Sequence, residues 1–419
     1  MTRKKILLAL APVCALVASN ALAVPYSTFD PRSFAMGGTG VAAGNSASAG
    51  FMNPALLAQA KEGEDFTLAA PIVGVRAADS DDMVGSLDTF QINDNTGVFS
   101  RAITAFNTSK TVANANVAVA AGTALTADLR TLSNKALQGE VGVGFVAAIP
   151  SKRFGVAVTG NAWAVGGALL DITTADTDQV NQRLDTLRAA LNSNDPTTQV
   201  AALSSLSDPT TGFTSSAKVR GAVIAEVGVS LARMFNVMNR DIAFGITPKL
   251  VKVETFDYSA DVDTADVTFD TGRRSYTAMN VDLGAVQDFQ NGWRGGMAVK
   301  NLLPKDYETA LGNKIETAPQ VRIGVSRSSS WTTLAVDLDV TENDAVGFDS
   351  KTQYLALGGE FDVFKTLQLR AGYRYNISDN DTSIPTLGAG LLVFGAHIDL
   401  AAAYNGTEAA LSGQLGFQF

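Results

Sequence analysis

The last eleven residues, Ala409 to Phe419, read A-A-L-S-G-Q-L-G-F-Q-F. Leu411, Gly413, Leu415, Phe417 and Phe419 share one parity, and Ser412, Gln414, Gly416 and Gln418 share the other. Extended, this segment is apolar on one side and small or polar on the other. A soluble chain seldom spends its final residues on such a strand and then stops on an aromatic carboxylate.

The same alternation recurs upstream, beginning with an imperfect first strand at Phe66, Leu68, Ala70 and Ile72 and a tight pair at 140–149 and 154–163. From Val219 onward strands come in pairs. Short links at 236–240, 290–292, 328–330, 362–365 and 394–396 alternate with longer polar loops at 259–274, 303–318, 343–350 and 378–384, and the final pair turns at Asn405-Gly406-Thr407-Glu408. Counting from Phe66 gives about fourteen strands, an even number, with short links on one side and nearly all long ones on the other. The spacing predicts an all-β fold, a transmembrane antiparallel β-barrel of about 14 strands. Beyond the N-terminus no segment is apolar throughout over the roughly 20 residues that a membrane helix needs.

At the N-terminus Arg3, Lys4 and Lys5 precede an apolar run from Ile6 to Ala18, and Ala21-Leu22-Ala23 offers the small residues a signal peptidase needs. Residues 1–23 are therefore expected to be a Sec-type signal peptide, with cleavage near Ala23. Cys14, the one cysteine, falls inside it, so disulfide and thiol chemistry are not expected of the mature chain. Losing three signal cations leaves 29 basic against 41 acidic residues, a net charge near −12 that disfavours a nucleic-acid partner.

Residues 24–60 lack both periods and are rich in Gly, Ala and Ser, with Gly37, Gly38, Gly40 and Gly44 allowing close backbone approach. This stretch is expected to be a hatch, and 61–419 the barrel. Two interruptions carry helical spacing: Leu125, Leu129, Leu132 and Ala136 within 123–137, and Val180, Leu184, Leu187 and Leu191 followed by the start signal Asp195-Pro196. They predict two extracellular helical insertions, at about 112–138 and 176–207. Their apolar stripes need cover, from each other or from a partner.

Parity sorts the charges. In 367–375, Leu367, Leu369, Ala371, Tyr373 and Tyr375 face out and leave Gln368, Arg370, Gly372 and Arg374 inside. The same sorting puts Arg220, Glu226, Asp282, Arg294, Lys300, Arg322, Asp337, Asp339, Glu360, His397 and Asp399 in the lumen. Mixed signs favour pairing with one another and with the hatch over a selective field. Phe154, Phe235, Trp293, Trp331, Phe361 and Phe394 beside the short links, with Trp163, Tyr258, Tyr276, Tyr375 and Tyr404 near the long loops, form two expected aromatic belts.

Little in the chain points to chemistry. His397 and Asp399 lie two apart but lack a nucleophile partner, so no catalytic residue and no enzyme are expected. Asp261-x-Asp263-x-x-Asp266 and Asp379-Asn380-Asp381 lack the Gly and terminal Glu of a dedicated calcium loop. They read as hydrated loops, and no metal or cofactor is expected.

Phe34-Ala35-Met36-Gly37-Gly38-Thr39-Gly40-Val41-Ala42 followed by Asn53-Pro54-Ala55 resembles the N-terminal hatch of the FadL-type outer-membrane channel superfamily. The opening Phe29-Asp30-Pro31-Arg32 together with the long helical insertions is most similar to its TraF-like branch, labelled conjugal transfer proteins. The resemblance implies a Gram-negative outer-membrane location and passive uptake of hydrophobic small molecules. Asn53, Pro54 and Ala55 would mark the hatch, and Phe29, Phe34, Met36, Phe51 and Met52 its apolar ligand path. It also implies that the barrel assembly machinery reads Phe417 and Phe419 as an assembly signal, and that outer-membrane lipid surrounds the wall. The transfer label implies an alternative, a structural or docking component with an envelope protein partner. FadL-type transporters carry their helical projections in the third and fourth outer loops, whereas here they occupy the first and second. The similarly named F-plasmid transfer protein resembles thioredoxins, whose chemistry a mature chain without cysteine cannot perform.

Overall fold

A computed structural model describes residues 29–59, 64–207, 212–261, 272–364 and 366–419. The expected signal peptide, the first residues of the hatch, and Asp263 and Asp266 lie outside them. The sheet closes on itself in the order β1-β16-β15-β14-β13-β12-β11-β10-β7-β6-β5-β4-β3-β2, fourteen antiparallel strands joined to their neighbours in sequence. They are β1 (Thr67–Ala78), β2 (Ala136–Ile149), β3 (Gly155–Asp171), β4 (Ser216–Val237), β5 (Arg240–Asp261), β6 (Arg273–Asp288) and β7 (Trp293–Lys300). The second half holds β10 (Gln320–Ser328), β11 (Thr332–Asp339), β12 (Tyr354–Val363), β13 (Leu367–Asn376), β14 (Ile384–Val393), β15 (Ala396–Tyr404) and β16 (Glu408–Gln418). A separate two-stranded hairpin, β8 (Lys305–Glu308) and β9 (Lys314–Thr317), lies in the β7–β10 connection.

The C-terminal segment is the closing strand. β16 pairs with β1 from Thr67↔Gln418 to Ala78↔Glu408, and the Phe419 carbonyl accepts from the Asp65 and Phe66 amides. Its side chains follow the expected parity: Leu411 and Phe417 are exposed, while Ser412 and Gln414 are buried. Across β14, β15 and β16 the outward Leu387, Leu400 and Leu411 are 64%, 62% and 60% exposed, the ordinary state of a barrel whose outer face meets lipid. Short links collect at one end; between β4 and β5 Met238 and Asn239 both take positive φ, the geometry of a two-residue primed hairpin turn.

The belts need two corrections. Trp331 and Phe361 stack edge to face at 5.2 Å on the outside, as expected of the short-link belt. Trp163, however, lies inside the lumen with Thr159 and Asn161, whose parity it shares, and Tyr276 shares the parity of the buried Asn280 and Asp282 and donates to the Glu308 carbonyl. Position near a strand end does not override parity.

The first insertion holds more helices than its spacing suggested. It holds α3 (Met83–Asn93), α4 (Asn95–Thr108) and α5 (Val112–Leu132), after the two short helices of the N-terminal segment, α1 (Pro31–Ala35) and α2 (Ser46–Met52). The helix expected at 123–137 begins at Val112 and stops at Leu132, because Asn134 takes positive φ and Ala136 already pairs with Leu169 in the wall. The second insertion holds α6 (Thr174–Leu191) and α7 (Pro196–Ala202). Phe99, Ile103 and Phe106 of α4, Leu125 and Leu129 of α5, and Val180, Leu184 and Leu187 of α6 form one core. The two insertions therefore cover each other's apolar stripes.

Asp176, in the first turn of α6, ties this bundle to the wall: it accepts from the Thr214 amide at 2.8 Å, from the Ser215 amide at 2.7 Å and from both hydroxyls. Burial pushes its carboxyl up, but the Ser215 and Thr214 hydrogen bonds outweigh burial and hold it below the ordinary carboxylate value. Stability from a depressed carboxyl is present above its unfolded pKa and lost as pH falls through the folded one. Lowering the pH from about 5 to about 2 should therefore loosen the bundle, and Asp176→Asn should remove most of that dependence. Hydrogen exchange at Val180, Leu184 and Leu187 checks this; an unchanged pH profile in the variant would contradict it. For the wall, Leu400→Arg, midway along β15, should cost about 2–4 kcal/mol in reversible folding into bilayers, and a cost near zero would mean that this face does not meet hydrocarbon.

Candidate functional site

Local sequence shapes the N-terminal segment. Asp30 caps α1, accepting from the Ser33 amide at 3.0 Å and its hydroxyl at 2.6 Å, with Pro31 at the first helical position. Asn45 and Ser48 form a reciprocal capping box on α2. Asn53 then starts a 3-10 turn, Pro54–Ala58, whose Leu56, Leu57 and Ala58 pack on inward Ala148, Ala157, Ala232 and Ala243. The described residues of this segment, 29–59, sit inside the barrel as a plug.

Glycines in the wall let it come this close. A Cβ on Gly372 would lie 2.1 Å from the Gly37 nitrogen, and one on Gly284 would lie 1.9 Å from Asn53 Oδ1. Gly37 itself takes φ +73° against the Leu357 and Tyr373 carbonyls.

The lumen charges hold this plug. The fully inward Asp337, 1% exposed, accepts from the Gly40 and Val41 amides at 2.8 and 2.9 Å. Arg322 pairs with Asp339 at 2.5 Å and donates to the Gly38 carbonyl at 3.1 Å. Arg32 of the plug makes a two-pronged contact with Glu360 at 2.9 and 2.8 Å, and Arg370 joins Glu360 at 2.7 Å to Asp399 at 2.5 Å. Asp399 in turn contacts His397 Nδ1 at 2.7 Å. Arg294 pairs with Asp288 at the short-link end. Buried charges are tolerated because each is paired and hydrogen-bonded.

Other charges hold the opposite mouth. Arg374 and Arg76 both pair with Glu408, and Arg76 reaches Asp349 at 2.8 Å. Arg220 pairs with Asp257 at 3.3 Å and lies over Phe348 at 5.1 Å, while Asp257 accepts from Thr309 and Asn313. These contacts pull two of the long polar loops inward. The hairpin β8–β9 buries Tyr307 and Ile315, and the β11–β12 loop buries Val346, all against Val165, Ala222, Ile224, Val251 and Val253. The missed signal is the alternation of Tyr307 and Ile315 around Leu311-Gly312.

Between plug and loops lie two cavities. One is lined by Phe29, Phe51, Trp163, Glu226, Lys249, Asp282 and Lys300; the other by Phe29, Phe34, Arg76, Tyr354 and Arg374. Phe29 borders both. Of the residues expected along a ligand path, Phe29, Phe34 and Phe51 therefore face open space. Met36, Met52, Asn53 and Ala55 are buried: Met52 and Gly40 are in contact, Met36 lies on Gly358, and Pro54 and Ala55 lie on Gly245. Asn53 Nδ2 donates to the Val41 carbonyl at 2.8 Å, and to Ala285 and Met297 of the wall at 3.3 Å each. Lys249, between Glu226 at 3.1 Å and Asp282 at 3.0 Å, is a further lumen charge, on the parity of Val251 and Asp257. Below the plug, His397, Arg370, Arg32 and Glu360 line a polar vestibule of about 1,880 Å³.

On the outer face an apolar groove of about 2,120 Å³ runs over Phe154, Phe235, Phe244, Ile246, Leu283 and Met297, rimmed by Leu302, Pro304 and Pro319. Among the described residues no group of three or more His, Cys, Asp or Glu could hold a metal ion.

A closed, lipid-facing, fourteen-stranded barrel stoppered by its own N-terminal segment is a plugged transmembrane β-barrel. Residues 50–339 match the family described as F plasmid transfer operon, TraF, protein, and the chain belongs to that family. Similar solved structures include a TodX deltaS2S3 mutant monoaromatic hydrocarbon channel, 11% identical with TM-score 0.49, covering 92% of this chain and 97% of that one. The Pseudomonas putida (P. putida) toluene transporter TodX is 12% identical with TM-score 0.44, covering 93% and 96%. The Ralstonia pickettii toluene transporter TbuX is 12% identical with TM-score 0.36, covering 96% and 98%. No curated protein matches the sequence.

Removing the Asp337 carboxylate leaves two plug amides unpaired, at about 1–3 kcal/mol. Asp337→Ala is expected to raise small-ion conductance through single molecules in planar bilayers while the barrel stays folded. Wild-type conductance in the variant would show that this contact does not hold the plug.

Proposed function

We propose that this protein is an outer-membrane channel that passes small apolar molecules passively, with the short-link end and both termini in the periplasm and the helical bundle outside. One observation carries this reading. The lumen cavity that Trp163 lines and the outer apolar groove lie back to back across one stretch of wall. Asp282, Lys300, Asn301, Thr317 and Gln320 line the inside, and Leu283, Val299, Leu302, Ala318 and Val321 line the outside.

The β-ladders stop at that stretch. The β6–β7 pairing ends at Leu283↔Val299 and the β7–β10 pairing at Lys300↔Gln320. Past it the seam is carried by the Leu302 amide on the Val281 carbonyl at 3.0 Å and by the Asn280 side chain on the Leu303 backbone at 2.9 and 3.0 Å. A seam with so few backbone bonds opens at less cost than a full ladder, and an apolar solute crossing it reaches lipid without re-entering water. Lipid around the wall, an apolar ligand in the lumen, and assembly machinery that reads β16 with Phe417 and Phe419 are the partners this reading implies.

The family description favours a second reading, a docking component of an envelope assembly. Mutual burial of the helical stripes removes the need for a partner to cover them.

Asn280→Cys with Leu303→Cys places a thiol on each side of the seam in a mature chain expected to have none. Oxidised, this variant should take up labelled ethylbenzene at least about tenfold more slowly than wild type in intact cells, and reduction should restore the rate. Equal rates in both redox states would exclude this route.

A further inference from the structure

The lumen cavity has a donor that no described residue satisfies. Trp163 lines it, and its Nε1 is buried without a hydrogen-bond partner among the described residues. An indole N–H can only donate, so a bare hydrocarbon offers it no acceptor. Phe29, Phe51, Ile72 and Ile224 supply the apolar part of the cavity lining, and Lys249 stands among the polar lining residues. That cation is already neutralised by Glu226 and Asp282, so the polar lining offers hydrogen bonding without a strong net field.

We infer that the cavity is built for a neutral aromatic molecule carrying an oxygen acceptor, its ring on the phenylalanines and its oxygen accepting from Trp163 Nε1. This rests on the channel reading and narrows its substrate class from apolar molecules in general to oxygenated ones. A site that hydrogen-bonds a polar group discriminates against an analogue lacking it, because the buried donor is then left unpaired. A double bond to oxygen on an otherwise identical carbon skeleton should therefore be worth about tenfold in affinity.

The three tryptophans are Trp163, Trp293 and Trp331, and the last two lie on the outer surface. Trp293→Phe with Trp331→Phe leaves Trp163 as the sole indole. In detergent, acetophenone and ethylbenzene share one carbon skeleton and differ in the carbonyl, and their free concentrations are set by equilibrium dialysis to remove micelle partitioning. The expected result is about tenfold tighter binding of acetophenone, with the Trp163 indole proton resonance moved downfield by acetophenone alone. Adding Trp163→Phe should equalise the two affinities. Equal binding before that change, or an unmoved indole resonance with acetophenone bound, would overturn the inference and leave the channel reading standing. If neither molecule binds, the lumen is not a site for apolar ligands, and both fall.

Discussion

Inside a bilayer no water is present to pair the backbone, so every peptide group of a spanning strand needs a strand on each side. That requirement organises the molecule down to its last residue. β16 must meet β1, and the Phe419 carbonyl takes the amides of Asp65 and Phe66 to complete the seam. Closure abolishes free edges in a way an open sheet cannot. It also turns one parity of every strand toward a lumen that must then be filled.

The filling is provided by the same chain. The plug presents backbone groups, carbonyls of Gly38, Ala42 and Ala43 and amides of Gly37, Gly40 and Val41, and the wall answers with Arg322, Ser326, Thr386 and Asp337, while Arg32 answers Ala43 from within the plug. Irregular backbone is tolerated at membrane depth only where it is buried in protein and satisfied there. Polar lumen residues thus serve the plug as water would serve a surface loop. From the other end Asp257 and Arg220 draw the hairpin β8–β9 and the β11–β12 loop inward, which leaves cavities between plug and loops. Where β7 ends at Lys300 while β6 continues to Arg273, the wall passes from a full ladder to side-chain bonds.

Much of this was legible residue by residue. Strand parity assigned Arg370, Arg374, Asp337, Asp339 and Asp399 to the lumen, and the structure places them there, because a period of 2 leaves no freedom once one face is known. Nearness to a loop does not override parity: Trp163 and Tyr276 turn inward although they stand near strand ends, and Lys249 lies inside with Val251 and Val253, which share its parity. The helical stripes of α5 and α6 were visible, yet their mutual burial was not, since a stripe specifies that it needs cover and not what supplies it. Asn53 and Met52 carry no mark distinguishing a packed hatch residue from one that borders a cavity.

By itself the sequence determined the alternating faces, the even count of strands, the side on which short links fall and the sign of each inward charge, all of them local properties read over a few residues. Only the tertiary structure decided that Arg32 meets Glu360, that Arg370 bridges Glu360 and Asp399, and that the lumen cavity backs onto the end of β7. Arg32 and Glu360 lie 328 residues apart along the chain, and Arg370 and Asp399 stand on strands that are not neighbours. The stagger of strands around the closed barrel sets who faces whom across the lumen, and no local pattern carries that offset.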